Sequence, residues 1–378
     1  AAEGRPLPVG KIVFCVWAAG ALAVLQSLLF SLTNLRRIHY TRRFSRATAY
    51  EGETVELIEV IRNAKPFPVP WLRVESRISP FLRFGRGGAD EEREIAAQQY
   101  HRSAFFLGPM CQVTRRHEVT CLKRGHYDVG SVALTAGDLV GLSVKSRQLT
   151  LPCELDVYPR ILSEQELATP STRWQGELPV RRWIMPDPFL TAGIRDYRPG
   201  DPLRDVHWRA TARMGTLQVK VRDYTADPRV MVVLNVQTSE KQWGDLMDYE
   251  QEGVEQGIRI AATLCMRALG AGVEAGFASN ACLIGEKGEG KTVFVPARRS
   301  QAQANILLGT MARLLIHRET SFNTFLDELC LEKGIDVVIL STYDSEELRA
   351  RMARLTRNGN SATLVRLERG KRDAQTAS

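Results

Sequence analysis

The stretch GIRDYRPGDPLRDVHWRATARMGTLQVKVRD, residues 193–223, holds seven arginines or lysines and four aspartates, together with a histidine, a tryptophan and a tyrosine. Asp201 is suited to cap a helix that begins at Pro202, because proline lacks the N–H that the first helical position leaves unbonded. Gly215 tolerates the positive φ at which such a helix ends. The spacing gives an apolar face and a charged face, comprising Leu203, Val206, Ala210 and Met214 on one and Asp205, Arg209 and Arg213 on the other. We therefore predict a short helix that packs by one side and presents charges on the other.

After this stretch, β-type and helical runs alternate to the end of the chain. Strands are predicted at residues 229–236, 273–279, 335–342 and 361–367, and helices at 249–269, 301–317 and 345–357. Strands that alternate with helices are typical of an open sheet with helical crossovers. The sequence predicts a Rossmann-like α/β domain here.

Before the stretch, the chain has a different character. Runs rich in β-branched residues at 53–63, 71–78, 112–122 and 131–136 are separated by turn residues and prolines. This pattern predicts a small antiparallel β-sandwich. Together with the N-terminal segment, it gives three expected parts: 1–40, 41–160 and 161–378.

Residues 12–32 contain no charged side chain. A helix of this length is long enough to cross a bilayer, which takes about 20 apolar residues. A secretory signal peptide and a buried core helix are the competing interpretations, and a further helix ahead of residue 1 stays open. We expect a single transmembrane helix at about residues 12–32 in the cell membrane, with the domains that follow in the cytoplasm. The orientation rests on the arginines just after the span, Arg36, Arg37, Arg42, Arg43 and Arg46.

The composition excludes some classes of protein. The formal charge of +8 comes from 51 lysines and arginines set against 43 acids spread along the chain, so we do not expect a nucleic-acid partner. The seven cysteines form no C-x-x-C pair. An odd number without such pairs is typical of a reducing compartment rather than of a disulfide framework.

The pattern R-D-Y-x-P-G-D-x-x-R-D-V-H-W-x-A-T-A-R at residues 195–213, which we call the signature segment, resembles the signature of the bacterial family called domain of unknown function 58. The upstream run KRGHYDVGSVALTAGDLVGL at 123–142 is similar to that family's preceding segment. The resemblance implies a membrane-attached protein with a β-rich middle and a C-terminal von Willebrand factor A-like domain. It also implies a MoxR-type AAA+ ATPase as partner and no established enzymatic activity. We therefore expect a non-enzymatic adaptor acting in protein assembly or stress functions, with no catalytic residue assigned.

The signature segment has two interpretations, which are compatible. Its charges could form an ion-pair lattice that holds the loop to the fold, or they could form a docking patch for a partner protein. The candidate residues for either role are Arg195, Asp196, Tyr197, Gly200, Asp201, Arg204, His207, Trp208, Arg209 and Arg213. A hydrolase that uses Asp201, Asp205 and His207 is the alternative from another class of function, although no matching nucleophile motif stands near His207.

In a von Willebrand A-like domain, the first strand ends in D-x-S-x-S, whose oxygens hold Mg²⁺. The corresponding positions here are Asn235, Gln237 and Ser239. Asn and Gln offer oxygen atoms but lack the charge that offsets the dehydration of a hard divalent ion. We expect a degenerate loop without metal and no cofactor, with Mg²⁺-dependent adhesion as the alternative.

Two further motifs resemble a phosphate-binding loop and a zinc site, but we interpret both as ordinary structure. Residues 285–292, GEKGEGKT, satisfy the phosphate-binding pattern G-x-x-x-x-G-K-T, but the run TVFVP that follows is β-type, so we predict a hairpin tip. Cys111, His117, Cys121 and His126 have zinc-ligand side chains. The segment around His117 is predicted to be a strand rather than the helix that an H-E-x-x-H site needs, and we expect a half-buried strand face there.

Overall fold

The computed structural model describes residues 9–33, 35–85, 99–138, 141, 143–167, 173–174, 191–198, 206–222, 229–240, 242 and 246–368. The chain divides into two compact units, Ala1–Tyr158 and Pro159–Ser378. The elements of the first unit are α1 Val9–Thr33, β1 Ile38–Phe44, β2 Thr48–Tyr50, β3 Thr54–Asn63, β4 Val69–Ile78, β5 Leu82–Phe84, β6 Gln99–Leu107, β7 Gln112–Cys121, β8 Gly125–Asp128, β9 Ser131–Gly137, β10 Val144–Thr150 and β11 Glu154–Tyr158.

The predicted transmembrane helix at about 12–32 is wrong, and the fold class that began with it is corrected. Among the described residues, no helix is both long enough and apolar enough to cross a membrane. The end of α1 belongs to a protein core, since Phe30 is buried among residues of the first unit and Lys145 Nζ donates to the carbonyl oxygen of Ser31. After α1, most of the described secondary structure is β-sheet.

Two four-stranded antiparallel sheets make up most of the first unit. Their strand orders are β1-β3-β7-β5 and β10-β9-β4-β6, and a three-stranded sheet has the order β2-β11-β8. Side chains alternate between buried and more exposed along β1 and β3, because successive residues of a strand point to opposite faces. Buried residues of both four-stranded sheets, such as Ile61, Val74 and Leu134, share one apolar core. The two sheets therefore pack face to face.

The second unit continues with α2 Glu164–Leu167, β12 Arg173–Trp174, β13 Thr191–Asp196, α3 Trp208–Met214, β14 Gln218–Arg222, β15 Arg229–Leu234, α4 Asp248–Gly270, β16 Glu274–Ser279, β17 Ala281–Leu283, β18 Val293–Arg298, α5 Gln301–Arg313, β19 Leu314–Arg318, α6 Phe322–Glu328, β20 Ile335–Ser341, α7 Glu346–Arg357 and β21 Ser361–Arg366.

A six-stranded sheet of order β12-β21-β20-β15-β16-β18 forms the centre of the second unit. Strands β21, β20, β15 and β16 are parallel, and the edge strands β12 and β18 are antiparallel to their neighbours. Met231 and Val233 face a core built with α6 and α7. Leu234 faces the other way, where a Cβ on Gly257 of α4 would lie 2.9 Å from its Cδ1. Helices thus cover both faces, and the carboxyl ends of the parallel strands meet at one edge.

Candidate functional site

Buried polar side chains gather at the edge where the parallel strands of the second unit end. Asn235 and Gln237 follow β15, Asn280 follows β16, and Ser341 and Thr342 lie at the end of β20. All five are at most 2% exposed. We call these five residues the amide cluster. They lie together because adjacent parallel strands end at the same sheet edge, where ligands of open α/β sheets bind.

The two amides at the predicted metal-loop positions are engaged by the protein itself. Asn235 Nδ2 donates to Ser341 Oγ at 3.0 Å, and Asn235 Oδ1 accepts from the backbone N–H of Gln237 at 2.9 Å. Gln237 Oε1 accepts from the backbone N–H of Phe322 at 2.5 Å and from Asn280 Nδ2 at 3.4 Å. The oxygens that would coordinate a cation are therefore hydrogen-bond acceptors within the fold. Ser239, the third predicted position, is half-buried at the end of this loop.

Acidic side chains near the amide cluster have partners of their own. Asp344 accepts two hydrogen bonds from Arg349, through Nε at 2.8 Å and Nη2 at 2.5 Å. Glu240 Oε1 accepts from Asn323 Nδ2 at 2.9 Å and from Ser345 Oγ at 3.1 Å. A hard divalent ion needs carboxylate charge to offset its dehydration, and the amide cluster offers neutral groups only. The hydrogen bonds of the amide cluster therefore fix the ends of strands β15, β16 and β20.

The signature segment forms a short helix with defined ends. Helix α3 is preceded by His207, whose Nδ1 accepts from the backbone N–H of Ala210 at 3.0 Å, and it ends at Gly215 in the predicted left-handed conformation, with φ of 72°. The backbone N–H of His207 donates to Gln218 O at 2.7 Å, and Val206 pairs with Val219. His207 therefore has a capping role at the start of α3. The described helix begins at Trp208, and Pro202, where the sequence predicts a helix start, lies outside the described residues.

Hydrogen bonds hold the described residues of the signature segment. Gln218 Nε2 donates to Asp196 Oδ1 at 2.6 Å, so an amide contacts this carboxylate. Arg195 Nη1 donates to the carbonyl oxygen of Asp196 at 3.1 Å, and the backbone N–H of Tyr197 donates to Leu217 O at 2.8 Å. Trp208, Arg209 and Arg213 are exposed on α3. Four predicted residues lie outside the described part of the chain: Gly200, Asp201, Arg204 and Asp205.

The glycine-rich loop at residues 285–292 holds one of the protein's own carboxylates. The backbone N–H groups of Gly288 and Gly290 donate to Glu319 Oε1 and Oε2 at 2.6 and 3.1 Å. The predicted hairpin is wrong, because β17 pairs with β19 whereas β18 pairs with β16. The loop amides bind an internal anion, and the next element is strand β18 rather than the helix that a nucleotide loop requires.

In the first unit, the structure brings together zinc-ligand side chains other than the four considered from the sequence. His126 Nδ1 contacts Asp156 Oδ1 at 2.7 Å, and Cys111 Sγ donates to Gly108 O at 3.2 Å. His117 instead meets Glu59 and His101, with one ligand atom of each within 4.8 Å of the others. Glu59 and His101 were missed, because only the strand pairing brings these distant residues together.

Comparison with known proteins agrees with the resemblance in the signature segment. Residues 193–358 match the family described as "Protein of unknown function DUF58". The chain is 23% identical over 261 residues to the "Uncharacterized protein YeaD" of Bacillus subtilis (strain 168), covering 68% of this chain and 59% of that protein. The aligned region thus spans less than two thirds of that relative. These matches support the assignment to this family of unknown function.

Solved structures give weaker likenesses. The ASH/PapD-like domain 7 of human CEP192 is 12% identical, with 33% of this chain and 87% of that chain covered and a TM-score of 0.22. A cohesin module from a family 33 glycoside hydrolase of Clostridium perfringens ATCC13124 is 10% identical, with 32% and 98% covered and a TM-score of 0.21. Scores this low establish no shared fold.

Proposed function

We propose that this chain is a binding protein, an adaptor without catalytic activity, which docks a partner protein through helix α3. The observation that carries the proposal is the exposure of this short, well-anchored helix. Trp208 and Met214 are 66% and 67% exposed, whereas Ala210 of the same helix is buried. An exposed tryptophan held on a fixed element is suited to anchor a protein–protein interface, because tryptophan is enriched among hot-spot residues.

The residue types of α3 fit an interface. Tryptophan and arginine are enriched among the few residues that dominate protein–protein affinity, and Arg209 and Arg213 are exposed beside Trp208. Such a surface fits an apolar pocket rimmed by carboxylates. The arginines would then act on association rate and specificity more than on affinity.

The amide cluster supports the non-catalytic part of the proposal. Its buried side chains hydrogen-bond to one another and to the backbone, as in Asn235 with Ser341 and Gln237 with Phe322. The five residues include no carboxylate, histidine or amine, so the cluster itself offers no general base that would activate the hydroxyls of Ser341 or Thr342. On the resemblance of the signature segment, the partner we propose is a MoxR-type AAA+ ATPase, and the role is in protein assembly or stress functions.

Binding to a purified MoxR-type ATPase from the same source tests the proposal by biolayer interferometry. We expect Trp208→Ala to weaken the affinity of the full chain about thirtyfold, the effect of losing about 2 kcal/mol at an interface hot spot. Ile306→Ala is the matched control, because Ile306 is an apolar residue 49% exposed on α5 of the same unit. Equal affinity of both variants and the wild type would exclude α3 as the docking surface, and failure of the wild type to bind would exclude this partner.

A further inference from the structure

We infer that Glu59, His101 and His117 of the first unit form a site for a first-row transition-metal ion, which we assign as zinc, joining the two packed sheets. Glu59 lies on β3 and His117 on β7, neighbours in one sheet, whereas His101 lies on β6 of the other. We call these three residues the histidine cluster. This site is independent of the docking function proposed for α3.

The donor atoms are already close to a coordination geometry. His117 Nε2 lies 3.0 Å from Glu59 Oε2, and one ligand atom from each of the three residues lies within 4.8 Å of the others. Ligands of tetrahedral zinc are roughly 3.3 Å apart, since each bond is about 2.0–2.2 Å long. The Glu59–His117 edge therefore fits a bound ion, and the distances to His101, which are within 4.8 Å, would have to shorten on binding.

The surroundings hold the ligands in place. Tyr40 Oη and Arg42 Nη2 both donate to Glu59 Oε1, at 2.7 and 2.9 Å, which leaves Oε2 directed toward His117. The ring of His101 stacks on Phe84 with centroids 4.6 Å apart, and its Nε2 lies 3.0 Å from Ser103 Oγ. Partners that orient the ligands of a metal are a regular part of metal sites and affect its affinity.

A second observation points to a missing ligand. Ser76 lies on β4 directly opposite His101, so both side chains are on the same face of the sheet. Ser76 is 3% exposed, and its Oγ has no hydrogen-bond partner among the described residues. A buried hydroxyl without a partner costs roughly 1–3 kcal/mol. A water molecule that completes the coordination of the metal would give Ser76 Oγ its partner.

The charge of the pocket selects the kind of ion. Arg42 neutralises Glu59 in a pair whose side chains are both fully buried, so the site carries no net negative charge to attract Mg²⁺ or Ca²⁺. Imidazole nitrogens suit zinc and neighbouring transition metals instead. The side chain of His117 is 20% exposed, which gives the ion a path to the site.

Isothermal titration calorimetry of the full chain, dialysed against a chelator and titrated with ZnCl₂, tests the site. We expect one zinc per chain for the wild type and at least a tenfold loss of affinity for His101→Gln and for His117→Gln. His126→Gln is the matched control, since His126 is also a half-buried histidine of the first unit that contacts a carboxylate, and we expect it to bind as the wild type does. Circular dichroism checks that the variants are folded. Failure of the wild type to bind, equal binding by all four proteins, or equal affinity for Mg²⁺ would overturn the assignment.

A second measurement does not depend on the folding of the variants. In the wild type, zinc should slow the modification of His101 and His117 by diethylpyrocarbonate at least tenfold and leave that of His126 unchanged, as followed by peptide mass spectrometry. Rates that are the same with and without zinc at His101 and His117 would exclude coordination by these residues.

Discussion

The first unit buries a charged pair between its sheets, whereas the polar side chains buried at the strand ends of the second unit are amides and hydroxyls. In the first unit, Arg42 and Glu59 form a buried ion pair at 2.9 Å. In the second, Asn235 and Gln237 form hydrogen bonds with Ser341 and the backbone of Phe322. A buried charge is costly unless it is paired, while neutral groups are satisfied by hydrogen bonds alone. The buried side chains suited to bind a metal ion therefore lie in the first unit, whereas the metal-loop positions considered from the sequence lie in the second.

Breaking the ion pair of the first unit is expected to have the largest effect on stability. Arg42→Met should lower the free energy of unfolding by about 3–5 kcal/mol, because it leaves the carboxylate of Glu59 buried without its cation. Urea unfolding of the full chain, followed by circular dichroism, measures the loss. The double variant Arg42→Met with Glu59→Leu should recover most of it, since an apolar pair of similar volume removes the buried charge. A loss below about 1 kcal/mol in the single variant would show that Glu59 does not depend on Arg42.

A charge introduced into the amide cluster tests whether this part of the second unit depends on neutral buried groups. Asn235→Asp removes the hydrogen bond that Nδ2 donates to Ser341 and buries a carboxylate at a site 0% exposed. We expect a loss of about 2–3 kcal/mol at pH 7. Mg²⁺ at millimolar concentration should not restore the stability, because Gln237 Oε1 already accepts from the backbone N–H of Phe322. Recovery by Mg²⁺ in the variant would instead identify the loop as a cation site that lacks one charge.

Periodicity made much of the second unit predictable. The sequence predicts strands at 229–236, 273–279, 335–342 and 361–367, and the strands found there are β15, β16, β20 and β21. Gly215 was expected to end a helix, and its φ is 72°. Asn235 and Gln237 could be placed at the end of β15 because that strand was itself predicted from the sequence. Their partners Asn280 and Ser341 could have been found from the rule that parallel strands end at one edge.

Pairing across the fold could not be read from the sequence. Leu57 of β3 is opposite His117 of β7. Glu59 lies two residues after Leu57 on the same face of β3, so its side chain reaches His117. His101 reaches both residues from a different sheet. No local pattern encodes either contact. The predicted membrane span failed for a similar reason, since composition does not show that Phe30 at its end is buried in a protein core. Likewise, GEKGEGKT carries no sign that Glu319 would accept from its amide groups.

A deletion in the amide cluster should have a smaller effect than a buried charge. Asn280 Oδ1 accepts from the backbone N–H of Val236 at 3.0 Å, and its Nδ2 donates to Gln237 Oε1. Asn280→Ala leaves this N–H buried without a partner, so we expect a loss of about 1–2 kcal/mol in urea unfolding. Asn280→Asp, which keeps the acceptor for Val236 but adds a buried charge, should lose more. The reverse order would contradict the view that the amide cluster tolerates neutral polar groups and not charges.

The smallest effect on stability is expected at the exposed surface of α3. Trp208 is 66% exposed, so Trp208→Ala should change the free energy of unfolding by no more than about 0.5 kcal/mol. The same variant should lose affinity for the docking partner, because a side chain that contributes little to folding can dominate an interface. Urea unfolding and binding measured on one preparation separate the two roles. A stability loss above about 1 kcal/mol would mean that Trp208 packs within the chain, and the exposed surface on which the docking proposal rests would then not exist.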